Sequence, residues 1–279
     1  MKLSIIIPTI GRDTLEVVLK ALLLNNNFDQ IKPEIMVVFD GKKTDGEWLL
    51  IKGLEKVKVL ETGTKVYAAG ARNLGIKNAT GDVLAFIGDD TIPAPDWLEQ
   101  LYNWHENNPE PEKSLLGKVD WIDELAGDRF HVWLAQKALF DYAQLDKGMN
   151  PNWRHFYTSN ISVKKELLQN KLFSTEFTGW GFEDSELGYR LEKQGMELSY
   201  DPKLVVKHDD PQTLVGLIKR TSEARTNAQV FETLHPELKI LPTGLKRLFL
   251  KAVVMLSAPL QFVPQIKWWR VWKKAWLQR

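Results

Sequence analysis

The chain has 279 residues, enough for one large domain or two small ones, and 44% of them are hydrophobic, which supplies a sizeable core. It contains no cysteine, which excludes a disulfide framework and a thiolate metal site and fits a reducing compartment. The net charge of +1 conceals an asymmetry: residues 244–279 carry eight Lys or Arg and no acid, which leaves −7 on the first 243 residues.

The first apolar run, LSIIIP at residues 3–8, is too short for a signal peptide and is interrupted by Pro8, so it is expected to be a first strand. Residues 14–24 carry helical spacing. EIMVVFD (34–40) and VKVLET (57–62) read as further buried strands, because β-branched residues dominate them and turn residues bound them; residues 46–54 read as a helix between. A helix over 68–79 then leads through Gly81-Asp82 into DVLAFIGDD, a strand ending in two carboxylates. Strand alternating with helix predicts a parallel α/β sheet with right-handed crossovers.

Polar groups collect at the strand ends: Pro8-Thr9, Asp40-Gly41 and Asp89-Asp90. In such sheets ligands bind beyond the carboxyl ends of the strands, so a nucleotide is expected there. No G-x-G-x-x-G follows the first strand, which removes the dinucleotide fingerprint and leaves the phosphates in need of another counter-charge. Asp89 and Asp90 are hard oxygen ligands that can hold a divalent cation, although an isolated Asp-Asp also suits a surface turn.

Further along, FYTSNISVKKELL (156–168) offers Asn160 and Ser162, with Ser162 readable as the cap of a helix over 163–168. GWGFEDSELGYRL (179–191) sets Glu183, Asp184 and Glu186 within four positions, directly after a Gly-Trp-Gly run. Leu187 and Leu191 at i, i+4 predict a helix here, whose N-terminus favours acids; that does not account for the aromatic and glycine collar. The strand-like LVVKH ends at His208, and an imidazole beside carboxylate suits Mn²⁺ better than Mg²⁺. Asp209 and Asp210 read as caps for the next helix.

Taken in order, SIIIPT, VVFDGKKTD, GARNLGIKNATGDVLAFIGDDTIPAPDWL, GWGFEDSELGYRL and VVKH resemble the family 2 glycosyltransferases of GT-A fold, over residues 3–210. The resemblance implies an α/β fold with a Rossmann-like, mostly parallel central sheet flanked by helices. Residues 1–100 would form the nucleotide-sugar-binding half and 101–210 the acceptor-binding half, followed by a helical extension (211–243) and a basic amphipathic helical tail (244–279). It also implies a metal-dependent, inverting hexosyltransferase that moves a sugar from a nucleoside diphosphate donor, UDP-linked, to a hydroxyl of a glycan or lipid-linked acceptor. Cell-surface polysaccharide or glycolipid assembly is the setting, and no nucleic acid is expected as a partner.

By the same resemblance, Pro8, Thr9, Arg12, Asp40, Arg72 and Asp89 contact the nucleotide, while Asp90 and His208 hold Mn²⁺ or Mg²⁺. Asp184 matches the base that deprotonates the acceptor hydroxyl, with Glu183, Trp180, Gly181 and Asn160 on the acceptor. Trp180 can stack on the apolar face of a sugar, and Arg190 is expected to pair with one of the acids. Two positions depart from the family pattern. Phe39 stands where a second Asp is common, and Gly88 takes the first acidic place of the D-x-D motif, so the diphosphate is expected to complete the coordination. These departures keep a non-catalytic nucleotide-sugar-binding protein as the alternative. A pyrophosphorylase fits less well, because PTIGRD is not a glycine-rich nucleotide loop.

In the tail, the apolar stretch 252–264 is broken by Pro259 and falls short of the ~20 residues that span a bilayer. Trp268, Trp269, Trp272 and Trp276 among Lys and Arg suit a helix lying on an anionic membrane surface. The alternative is a helix packed on the domain with a basic outer face. The expectation is a cytoplasmic enzyme, peripheral on the inner face of the cell membrane.

Overall fold

A computed structural model describes residues 1–43, 52–140 and 142–277, which fall into two compact units: Met1–Thr175 with Asp184–Asp210, and Glu176–Glu183 with Pro211–Arg279. Among the described residues the first unit contains eight strands: β1 Leu3–Thr9, β2 Glu34–Phe39, β3 Val57–Glu61, β4 Val83–Ile87, β5 Thr91–Pro93, β6 Lys113–Trp121, β7 Asn160–Lys164 and β8 Glu197–His208. They form one sheet in the order β3-β2-β1-β4-β7-β6-β8-β5. The first four are parallel; β7 runs antiparallel to β4 and β6, β8 is parallel to β6, and β5 is antiparallel to β8.

The inner parallel strands β1, β2 and β4 are apolar along most of their length and buried on both faces, whereas the edge strand β3 carries Lys58 and Glu61. Alternate side chains divide between two cores. Ile5, Ile7, Val37 and Phe39 join Leu15, Val18, Leu19 and Leu22 of the helix Thr14–Leu23. Ile6, Met36 and Val38 join Ala69, Ala71 and Ile76 of the helix Tyr67–Asn78. Phe39 is therefore a core residue, 1% exposed, and an acid at that position would point into the same apolar layer. Strand order reverses between β1 and β4, which makes their carboxyl ends a topological switch point.

The helix expected over 46–54 lies mostly outside the described residues; Gly53 opens a 3-10 turn, Leu54–Lys56. The helix expected over 163–168 is replaced by the end of β7 and a 3-10 turn at Lys165–Leu168. Ser162 is thus a mid-strand residue, whose hydroxyl meets His105 Nε2 at 2.7 Å instead of capping a helix. The helix expected after the Gly-Trp-Gly run is present as Glu183–Glu192.

The second unit is helical: Leu214–Leu234, Gly244–Leu256 and Pro264–Trp276, with the last packed against the first. Thr213 caps Leu214–Leu234 by accepting from Gly216 N–H at 3.0 Å, so the capping role read for Asp209 and Asp210 falls to Thr213. Gly179 and Gly181 adopt φ of 77° and 93°, a region that favours glycine, and Phe182 is held in it at 75°. Asn227 Nδ2 fixes this turn, donating to the carbonyl oxygens of Gly181 at 2.8 Å and Trp180 at 3.3 Å. Among the described residues no helix is long and apolar enough to cross a membrane.

Candidate active site

The carboxyl ends of β1 and β4 meet through side chains. Thr9 Oγ1 donates to Asp89 Oδ2 at 2.6 Å and accepts from Gly11 N–H at 2.8 Å, which ties the turn after β1 to the acidic loop after β4. Arg12, carried by that turn, forms a close ion pair with Asp90 and lies 3.8 Å from Asp89. Burial opposes its charge, but Asp90, Asp89 and Asp210 outweigh that and raise the guanidinium pKa. Asp89 is 6% exposed; burial, and then the neighbouring Asp90, push its carboxyl up to about 6 against the pull of Arg12 and Thr9.

The antiparallel pairing of β5 with β8 sets Thr91 opposite His208, and Asp209 N–H donates to the Asp90 carbonyl at 2.8 Å. This register brings the end of β8 against the acidic loop. His208 Nε2 lies 3.6 Å from Asp90 and 3.9 Å from Asp210. Asp90, His208 and Asp210 each offer one ligand atom, all within 4.8 Å of one another. Two carboxylates and one imidazole form a donor set suited to Mn²⁺ or Mg²⁺, so the residues present fit such an ion. Asp210, which in sequence reads as a helix cap, is signalled there only by its place two residues beyond His208.

Trp121, at the end of β6, stacks on the His208 ring with centroids 5.1 Å apart and planes 14° from parallel. Its own indole N–H donates to the His131 carbonyl at 2.9 Å, so the ring that orients His208 is itself held. A Cβ added at Gly88 would meet Asp90 Oδ1 at 2.5 Å. The missing first acid of the motif therefore corresponds to space already filled by the Asp90 carboxylate.

Other expected nucleotide contacts lie around the same end of the sheet. Pro8 is in β1, opposite Val38. Asp40 N–H donates to the Thr9 carbonyl at 2.8 Å, and its Oδ1 accepts from Val66 N–H at 2.6 Å and Tyr67 N–H at 3.0 Å, anchoring the start of the helix Tyr67–Asn78. Arg72 of that helix is buried, not a surface cation, with its guanidinium 5.5 Å from the Phe173 ring centroid. Asn73 beside it exchanges two hydrogen bonds with the Phe173 backbone, both at 2.9 Å.

The three acids of residues 183–186 have different surroundings. Glu186 is 2% exposed and takes a bidentate pair from Arg190, Nε to Oε1 at 2.7 Å and a terminal nitrogen to Oε2 at 2.9 Å, which confirms that Arg190 pairs with one of them. Asp184 is half-buried and accepts from Ser185 N–H at 2.7 Å and, at 3.5 Å, from Thr158 N–H. Gly188 permits the close approach behind it, since a Cβ there would meet Phe156 Cβ at 2.6 Å and the Trp153 carbonyl at 2.9 Å. Glu183 is half-buried at the start of the helix, and Trp180, in the second unit, is 39% exposed.

Asn160 is placed differently from the expectation of an acceptor contact. It is 1% exposed; its Oδ1 accepts from Trp97 Nε1 at 2.9 Å, and its Nδ2 donates to the carbonyls of Lys118 at 3.0 Å and Leu204 at 2.8 Å. Both its N–H groups are spent joining β6, β7 and β8, which makes it a brace of the sheet.

Validoxylamine A glucosyltransferase of Streptomyces hygroscopicus subsp. limoneus is 27% identical over 71% of this chain and 49% of its own length. Chondroitin synthase of Escherichia coli is 24% identical over 91% of this chain and 41% of its own length. The chain thus spans about half the length of these curated relatives. The fold is similar to that of a mannosyltransferase from Pyrobaculum calidifontis solved with GDP-Man and Mn²⁺: TM-score 0.62, 17% identity, 99% of this chain and 85% of the other. That likeness supports the α/β sheet with flanking helices. A profile described as the N-terminal domain of galactosyltransferase matches residues 149–210. The profile described as Glycosyl transferase family 2 matches residues 4–170, and the chain belongs to that family.

Proposed function

We propose that the protein is an inverting hexosyltransferase that moves a sugar from a UDP-linked donor to a hydroxyl of a glycan or lipid-linked acceptor, with Mn²⁺ or Mg²⁺ as cofactor. The observation that carries this reading is the meeting of Asp90, His208 and Asp210 beside Thr9, Arg12 and Asp89, beyond the carboxyl ends of β1, β4 and β8. When bound there, a divalent cation neutralises the charge that develops on a diphosphate leaving group. Asp90, Asp210 and His208 would hold it, Asp210 offering a second carboxylate where Gly88 offers none.

Arg12 reaches the diphosphate oxygens with charge-assisted hydrogen bonds, and Arg72 supports the nucleotide from its helix. Pro8 and Thr9 form the turn under the nucleotide, and Asp89, buried behind Arg12, approaches the ribose. Asp40 commits Oδ1 to two backbone amides, and its second oxygen accepts an N–H from the base. Asp184, in the first turn of the helix Glu183–Glu192, takes the proton of the acceptor hydroxyl. Trp180 and Gly181 contact the acceptor and Glu183 orients it. The name chondroitin synthase among the relatives supports a glycan acceptor, and the reading extends to cell-surface assembly by an enzyme peripheral on the inner face of the cell membrane.

Calorimetric titration with UDP- and GDP-sugars, with and without Mn²⁺, followed by assay of nucleoside diphosphate release, tests the reading. Metal-dependent binding of a UDP-sugar and acceptor-dependent release are expected. Metal-independent binding would remove the assigned cation site. Binding without release, across a panel of glycan and lipid-linked acceptors, would establish the non-catalytic alternative.

A further inference from the structure

The helix Gly244–Leu256 leaves one of its faces exposed although that face is apolar. Leu245, Leu248, Phe249, Met255 and Leu256 are between 63% and 85% exposed, and Phe262, just beyond the helix, is 77% exposed. Positions 245, 248, 249, 252, 255 and 256 recur at the three- and four-residue spacing of a single helical stripe. Exposed apolar side chains scattered singly are ordinary on a protein surface; a continuous stripe marks an interaction site.

The opposite side of this helix is already engaged within its own unit. Val254 is buried, its carbonyl accepts from Arg270 Nε at 3.0 Å, and Arg247 donates to the Leu277 carbonyl at 3.3 Å. Lys246 and Lys251 are exposed. At about 100° per residue they fall on the two opposite margins of the stripe. The four Trp of Pro264–Trp276, expected from the sequence to face lipid, are half-buried in a helix packed against Leu214–Leu234. The surface free for a partner is therefore the preceding helix.

We propose that the face of Gly244–Leu256 docks on a bilayer surface bearing anionic headgroups. The helix lies in the plane of the interface, with Leu248, Phe249, Met255 and Leu256 in the acyl boundary. Lys246 and Lys251 extend sideways to the headgroups, as an amphipathic interfacial helix with basic margins requires. Charge selects this occupant over a second copy of the chain. Residues 244–279 contain eight cations and no acid, so two such faces brought together would oppose like charges with no partner for them. The proposal stands independently of the reading of the active site.

Co-sedimentation of the full chain with phosphatidylglycerol-containing and with pure phosphatidylcholine vesicles tests it. The protein should partition onto the anionic vesicles, less so at high salt, and weakly onto the neutral ones. K246Q/K251Q should lower partitioning roughly 30-fold, the effect of two interfacial cations, and L248E/F249E should reduce it to background. Circular dichroism and melting temperature should be unchanged in both variants, because the substituted side chains are exposed. Equal binding of wild type and L248E/F249E, or no binding of wild type to anionic vesicles at low salt, would overturn the proposal. So would a dimer seen by light scattering that L248E/F249E dissociates, since a second copy would then cover the face.

Discussion

At Gly88 a side chain would need the space that the Asp90 carboxylate occupies, so the end of the Asp90 side chain would have to shift to admit it. Gly88→Asp should therefore weaken Mn²⁺-dependent UDP binding, although it restores the common family pattern. Asp210→Asn, which removes a ligand atom while keeping shape, should weaken it by about 10-fold or more in a calorimetric titration. Tighter binding by Gly88→Asp together with unchanged binding by Asp210→Asn would return the cation to Asp90 and His208 alone. Asp184→Asn removes a proton acceptor and little else: donor affinity should persist while turnover falls about 10²-fold or more. A variant that turns over normally would move that role to another group. At this scale Asp90, His208 and Asp184 are expectations that the family resemblance supplies and that these experiments test. Asp210 was hidden, because what recruits it is the pairing of β5 with β8, which joins residues more than a hundred positions apart.

Elements were most legible where local pattern and tertiary burial agree. The four parallel strands and the helices Thr14–Leu23 and Tyr67–Asn78 lie where their apolar runs and helical spacing predict, within a residue or two. Residues 163–168 show the opposite case: Lys, Glu and Leu there favour a helix, but pairing of β7 with both β4 and β6 holds residues 160–164 extended. The same strand carries Asn160, which looks like a sugar contact in sequence and is a cross-brace in the sheet. Asn160→Leu would strand Trp97 Nε1 and the carbonyls of Lys118 and Leu204 without partners in the interior. Each orphaned group costs ~1–3 kcal/mol, so a loss of about 3 kcal/mol or more is expected in chemical denaturation. Any folded fraction should keep its acceptor KM. A stable variant with a raised acceptor KM would instead show that Asn160 contacts the sugar.

For the whole molecule, the buried His105 gives stability a defined dependence on pH. Burial, and then Lys164, push its imidazole from the ordinary 6.5 down to about 3. The folded state thus holds His105 neutral where the unfolded chain would protonate it. Its contribution is complete above about pH 6.5 and is lost as pH falls from there toward 3, at ~1.4 kcal/mol per pH unit. Denaturation of wild type and His105→Gln at a series of pH values should show the wild-type excess shrinking across that window. A constant difference would mean that the imidazole titrates alike in the folded and unfolded protein, and would overturn the lowered pKa. The family, the parallel half of the sheet and the strand ends that bear the site were determined by sequence alone, because each depends on local periodicity and on ordered motifs that a linear reading preserves. The meeting of Asp210 with Asp90 and His208 in a candidate cation site, the bracing role of Asn160, the burial of Phe39 and the choice of Gly244–Leu256 as the exposed apolar face were decided only by tertiary structure. Each depends on strand register or on which side of an element finds a neighbour, and those are contacts between residues far apart in the chain.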